Sequence, residues 1–241
     1  DWKEGMEHKP HYFWDSDVAK WIEGASYILQ KAPDPDLETK IEAIVDNIEK
    51  NQGADGYFNI YFTVCEPDKR FSNRDWHELY CAGHLMEAAV AYAEATGRTR
   101  FLSLMEKYAD YIETVFLKEK SAAFFTPGHE EIELALVKMY RHTKKKKYLD
   151  MAAYFINTRG TIEETGNQYE NFQSHAPVRE QKEALGHAVR ALYLYTGMAY
   201  VAKETNDASL LSACRTLWED IDRHKMYITG GVGSTNIGEA F

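Results

Sequence analysis

The chain has 241 residues, 44% of them hydrophobic and 27% charged, and its 38 acidic against 28 basic side chains give a formal net charge of −10. That mixture describes a globular protein with enough apolar residues for a core and excludes collagen-like and disordered classes. A negative field repels nucleic acid and anionic membrane surfaces, so neither is an expected partner, and no run approaches the ~20 apolar residues of a membrane span. The opening stretch DWKEGMEHKPHYFWDSD lacks the basic-then-apolar pattern of a leader. The three cysteines, Cys65, Cys81 and Cys214, are too few and scattered for a disulfide scaffold and favour a reducing, cytoplasmic compartment.

Val18, Trp21, Ile22, Ala25, Ile28 and Leu29 fall on one helical stripe, which predicts a helix over 18–29 with Asp15 or Ser16 as cap. After the turn from Pro33 to Asp36, Leu37, Ile41, Ile44, Val45 and Ile48 repeat the pattern, closed by glycine between Gln52 and Gly56. The stretch GYFNIYFTV has strand-like composition and reads as a short strand, a hairpin edge or an extended loop. Further helices are predicted over 75–96, 101–116, 130–143, 148–158, 182–205 and 209–223, each ending at a turn signal.

Three segments share one plan. GHLMEAAVAYAEATGRTRFLSL, GHEEIELALVKMYRHTKKKKYLDM and GHAVRALYLYTGMAYVAKETNDASLLSA each run from Gly-His through a helix, a turn marked by Thr96, Thr143 or Thr205, and a second helix. Those turns lie 47 and 62 residues apart, an irregular spacing that fits helical hairpins of a closed toroid better than an open solenoid. His77, His129 and His187 each fall at the expected start of the first helix of a pair, where a toroid would direct them into one cavity. Neutral imidazoles there would hydrogen-bond sugar hydroxyls, and the 16 tyrosines and 5 tryptophans supply rings for stacking or for the core.

Two motifs imitate ligand sites. HELYCAGH lacks the spacing of a zinc-binding HExxH helix, although His77, Cys81 and His84 would share a helix face. TGGVGS lacks both the full spacing and the lysine of a phosphate loop. Lys144 to Lys147 reads as a solvated turn.

Six ordered stretches, DSDVAKWIEGASY, DGYFNIYF, HELYCAGHLMEAAVAYAEATG, GHEEIELALVKMYR, PVREQKEALGHAVRALYLYTGMAYVA and MYITGGVGSTNIGEAF, resemble glycoside hydrolase family 127, typified by β-L-arabinofuranosidases. The likeness runs from Phe13 to Phe241. It implies an (α/α)6 barrel followed by β-sandwich domains, and exo-acting release of L-arabinose from plant-type glycans with retention of configuration. In that family a zinc-held cysteine thiolate is the proposed nucleophile and a glutamate the acid/base. The resemblance places Glu239 of GEAF at the acid/base position, where burial would keep it protonated, and His77, His129 and His187 at histidines lining the sugar subsite.

The family's zinc ligands, a further glutamate and three cysteines, all lie beyond GEAF, so Cys65, Cys81 and Cys214 do not match them and no metal is expected on these 241 residues. The expected fold is therefore all-α, an incomplete (α/α)6 toroid of helical hairpins forming one partial domain over 1–241, truncated at its C-terminal end, inactive alone and prone to self-association through uncovered helix faces. Two other readings share these residues: a metal-free α/α-barrel epimerase or unsaturated-uronide hydrolase, and a noncatalytic carbohydrate-binding helical domain.

Overall fold

The computed structural model describes residues 3, 5–161 and 169–241. The fold is all-α: among the described residues there is no strand, and the sole sheet-like pairing is an isolated antiparallel bridge between His187 and Ala240. The chain divides into two compact units, residues 1–123 and 124–241.

The first unit contains α1 (Trp14–Leu29), α2 (Pro35–Asn51), α3 (Ile60–Val64), α4 (Glu78–Thr96) and α5 (Arg100–Glu113), the last running into a π-helical turn, Thr114–Lys118. Helix α1 begins earlier than its apolar stripe indicates, and neither Asp15 nor Ser16 caps it; the buried Asp15 carboxylate instead accepts from the Ile60 amide at 2.9 Å. Asp34 does cap α2, accepting from Leu37 N at 3.0 Å, with Pro35 at the first helical position. The strand-like stretch is instead helical at α3, because Asn59 accepts from Phe62 N at 3.1 Å and so caps a single turn whose Phe62 is buried. Helix α4 starts at Glu78 rather than Asp75: the Asn73 side chain accepts from the Asp75 amide at 2.9 Å, a local turn that competes with helix. From Glu78 to Ala93 every α4 residue but Tyr80 is buried, so this is a core helix around which α1 and α5 pack.

The second unit contains α6 (Ile132–Thr143), α7 (Lys146–Thr158), α8 (Ala188–Thr205) and α9 (Ala208–Asp220), which continues into a π-helical turn, Ile221–Lys225. Expected to start at Lys182, α8 begins at Ala188 because Gly186 takes φ +74° and lies against another loop: a Cβ there would fall 1.9 Å from the Glu170 carbonyl oxygen. Within α8, Gly197 lets α6 approach, since its Cβ would stand 3.0 Å from that of Glu133.

The three helix pairs read from the repeat are α4–α5, α6–α7 and α8–α9, and their turns are built alike. Thr96, Thr143 and Thr205 each close the first helix with a hydroxyl donating to the carbonyl four residues back, at 2.7, 2.7 and 2.8 Å. The next residue in each case, Gly97, Lys144 or Asn206, is left-handed.

Candidate active site

The first unit holds His77 at the start of α4, where its Nδ1 is 2.9 Å from the Asp75 carbonyl, an acceptor. Nδ1 therefore carries a proton and donates to that carbonyl. The rings of Tyr12, Phe13 and Tyr80 surround it at 5.5–5.6 Å between centroids. The Gly-His of the first repeat is a different pair: Gly83 and His84 sit inside α4, so His77 is the positional counterpart of His129 and His187.

The second unit brings His129 and His187 together, with ring centroids 5.8 Å apart and Tyr193 5.6 Å from His129. The buried His129 donates from Nδ1 to the Glu130 carbonyl at 2.9 Å. Behind it Arg159 is wholly buried and pairs with Glu130 at 2.8 Å and Glu133 at 3.2 Å. His187 has the opposite tautomer. It is the N-cap of α8, its Nδ1 accepting from Arg190 N at 3.4 Å, which puts the proton on Nε2. That Nε2 lies 2.8 Å from an oxygen of Glu239. Burial, and next the charge of Arg190, push the His187 imidazole below its ordinary range while Glu239 pulls it upward, so near pH 7 the ring is neutral and donates to the carboxylate.

Glu239 arrives on the glycine-rich turn after α9, in which Gly230, Gly233 and Gly238 all have positive φ. These glycines fold the turn onto itself and onto the start of α8. Tyr227 N donates to Gly231 O at 2.9 Å, Ser234 N to Ala240 O at 2.9 Å, Ala188 N to Glu239 O at 3.0 Å and Phe241 N to Gly186 O at 3.1 Å. The Glu239 side chain is 76% exposed, so the protecting burial expected from sequence does not surround it; the carboxylate instead meets the Nε2–H of His187.

Among the described residues, none of the three cysteines belongs to a group of side chains close enough to share an ion. Burial raises all three thiols, Cys81 well above its ordinary value, Cys214 to about 11, and Cys65 in the same direction. Cys81 donates to the Tyr12 carbonyl at 3.5 Å as a core thiol. The His77, Cys81 and His84 face does not form a ligand set; among the described residues, the grouping close enough to share an ion is Glu23, His84 and Glu87, which contains no cysteine. Glu23 there accepts from Tyr27, and His84 lies 3.5 Å from Glu87.

Sequence reasoning picked out His187 and Glu239 separately and missed their contact, because the two lie far apart in the chain. It missed the Glu130–Arg159–Glu133 cluster too, since charged residues on a helix pattern ordinarily face solvent.

Helical hairpins that present a histidine-held carboxylate on a turn match solved glycoside hydrolases over nearly the whole chain. Ara127N, a GH127 β-L-arabinofuranosidase from Geobacillus stearothermophilus T6, superposes with a TM-score of 0.91 at 49% identity, covering 99% of this chain and 40% of that one. The GH127 β-arabinofuranosidase BT3674 gives 0.89 at 40% identity, covering 99% and 39%. The non-reducing end β-L-arabinofuranosidase of Bifidobacterium longum is 38% identical over 95% of this chain and 38% of its own length. The GH127 catalytic-domain model of β-L-arabinofuranosidases matches residues 2–241, and the chain belongs to that family. It spans about 40% of the length of these relatives.

Proposed function

We propose that the protein carrying this chain is an exo-acting, retaining β-L-arabinofuranosidase with Glu239 as its acid/base. The observation that carries the reading is the 2.8 Å pair between His187 and Glu239 on a turn pinned to α8; the family match and the relatives' names supply the substrate class. As acid, Glu239 would protonate the leaving oxygen, and as base it would then take a proton from the attacking water. His187 keeps the carboxylate oriented through its Nε2–H, and His129 is proposed to contact a sugar hydroxyl. His77 is proposed to contact sugar as the family resemblance implies, and an (α/α)6 toroid is the proposed architecture of the whole protein.

The nucleophile and zinc that the resemblance implies find no fitting thiol among Cys65, Cys81 and Cys214, so that chemistry is proposed to reside on other residues of the whole protein. Glu239→Gln in that protein is expected to lower kcat by roughly 10²–10⁴ on substrates with poor leaving groups, and far less on an activated aryl arabinofuranoside. Equal losses on both, or none, would remove Glu239 from the acid/base role. In the same assay the 241 residues alone are expected to release no L-arabinose.

A further inference from the structure

We propose that Asn171 is a positioning residue for Glu239, a role that rests on the acid/base reading above. Glu239 is a non-glycine residue in the left-handed region, φ +50°, immediately after Gly238 at φ +67°. An isolated turn would not hold that conformation, because the left-handed basin is unfavourable for a residue with a Cβ.

Two peptide planes flank the Cα of Glu239, and together they fix where its side chain points. The following plane is held by Ala188 N, which donates to Glu239 O at 3.0 Å. The preceding plane ends in the Gly238 carbonyl, and Asn171 faces it. With the side-chain amide oriented to satisfy both neighbours, its nitrogen donates to Gly238 O at 3.3 Å and its oxygen accepts from Arg190 Nη1 at 3.1 Å. Arg190 has no acceptor to offer, so it selects that orientation. Its guanidinium is 4.9 Å from the Phe172 ring centroid, and the residue is 7% exposed, which holds the selector itself in place. Asn171 lies in a short 3-10 turn, Glu170–Phe172, locked over the Cα of Gly186: a Cβ on Gly186 would stand 2.8 Å from Asn171 Cα. One asparagine thus connects a buried arginine to the peptide plane that sets φ of Glu239.

The test reads geometry without requiring turnover. In histidine-labelled chain followed by NMR, Glu239→Gln is expected to lower the His187 titration midpoint, because the carboxylate raises it. Asn171→Ala is expected to move the midpoint the same way by at least half as much, and the double variant to add nothing further. The groups facing His187 that must stay unchanged are Arg190 and His129, the latter followed through its own ring signals. A wild-type midpoint in Asn171→Ala while Glu239→Gln shifts it overturns the proposal, and so does a Glu239→Gln variant that shifts nothing. If Asn171→Ala fails to fold, Asn171→Leu replaces it, since a side chain of similar size lacks the donor and adds no charge that would itself move the midpoint. In the whole protein, Asn171→Ala should lower kcat about tenfold with KM unchanged; loss of the acid/base reading would show in the Glu239→Gln assay, independently of the NMR result.

Discussion

Glu78 has been taken out of water at the head of α4, where it accepts from the Tyr57 hydroxyl at 2.6 Å and the Phe71 amide at 2.7 Å. Desolvation outweighs both bonds and lifts its pKa from 4.5 to about 8, while burial lifts Asp15 to about 6. Between pH 4.5 and 8 the folded chain therefore binds more protons at Glu78 than the unfolded chain does, so this residue makes stability fall as pH rises. His175 and His187 act oppositely: their folded pKa values are lowered, chiefly by burial, so their contribution improves as pH rises through about 6.5, the ordinary histidine value. Glu78→Gln is expected to remove its share of the fall, so that stability drops less from pH 5 to pH 8 than in the wild type, the share of Asp15 below about pH 6 remaining. Thermal melts at those two pH values check this, and a variant with wild-type pH dependence would contradict it.

At the scale of elements, the apolar periodicity and turn residues made eight of the nine α-helices among the described residues legible, including the three pairs closed by Thr96, Thr143 and Thr205. The ninth, α3, was hidden because its composition is strand-like and its cause is a single capping contact from Asn59. The delayed start of α8 was hidden for another reason: only packing reveals that Gly186 has no room for a side chain. Gly186 and Gly97 share φ +74°, yet a Cβ on Gly97 would meet nothing within 4 Å. Gly97→Ala is therefore expected to cost about 1 kcal/mol for backbone conformation alone, and Gly186→Ala roughly 3 kcal/mol or more, because a backbone carbonyl must move as well. Denaturant unfolding of the two variants checks the difference. The candidate site divides the same way: His129, His187 and Glu239 carry recognisable sequence signals, whereas Asn171 is a loop amide whose part depends on Arg190 and Gly238, distant in the chain.

For the molecule as a whole, the expectation of self-association has a physical surface to act through. Trp14, Val18, Trp21 and Ile28 are 47%, 40%, 44% and 57% exposed and recur at helical spacing along α1. Such a row is commonly covered by a partner. Sedimentation of the 241 residues is expected to depend on concentration, and a Trp21→Glu, Ile28→Glu double variant to sediment as a monomer throughout. A wild-type chain that stays monomeric at high concentration would show that water covers this row.

Helix α8 borrows part of its beginning from the other end of the unit, since its first amide, on Ala188, is occupied by the carbonyl of Glu239. The lifetime of that one proton against exchange with solvent is consequently a clock for the turn. While the amide is protected the carboxylate is in place, and whenever the turn lifts away the helix frays at the histidine that would have received it. Release of the Ala188 amide and departure of Glu239 from its place are a single opening event.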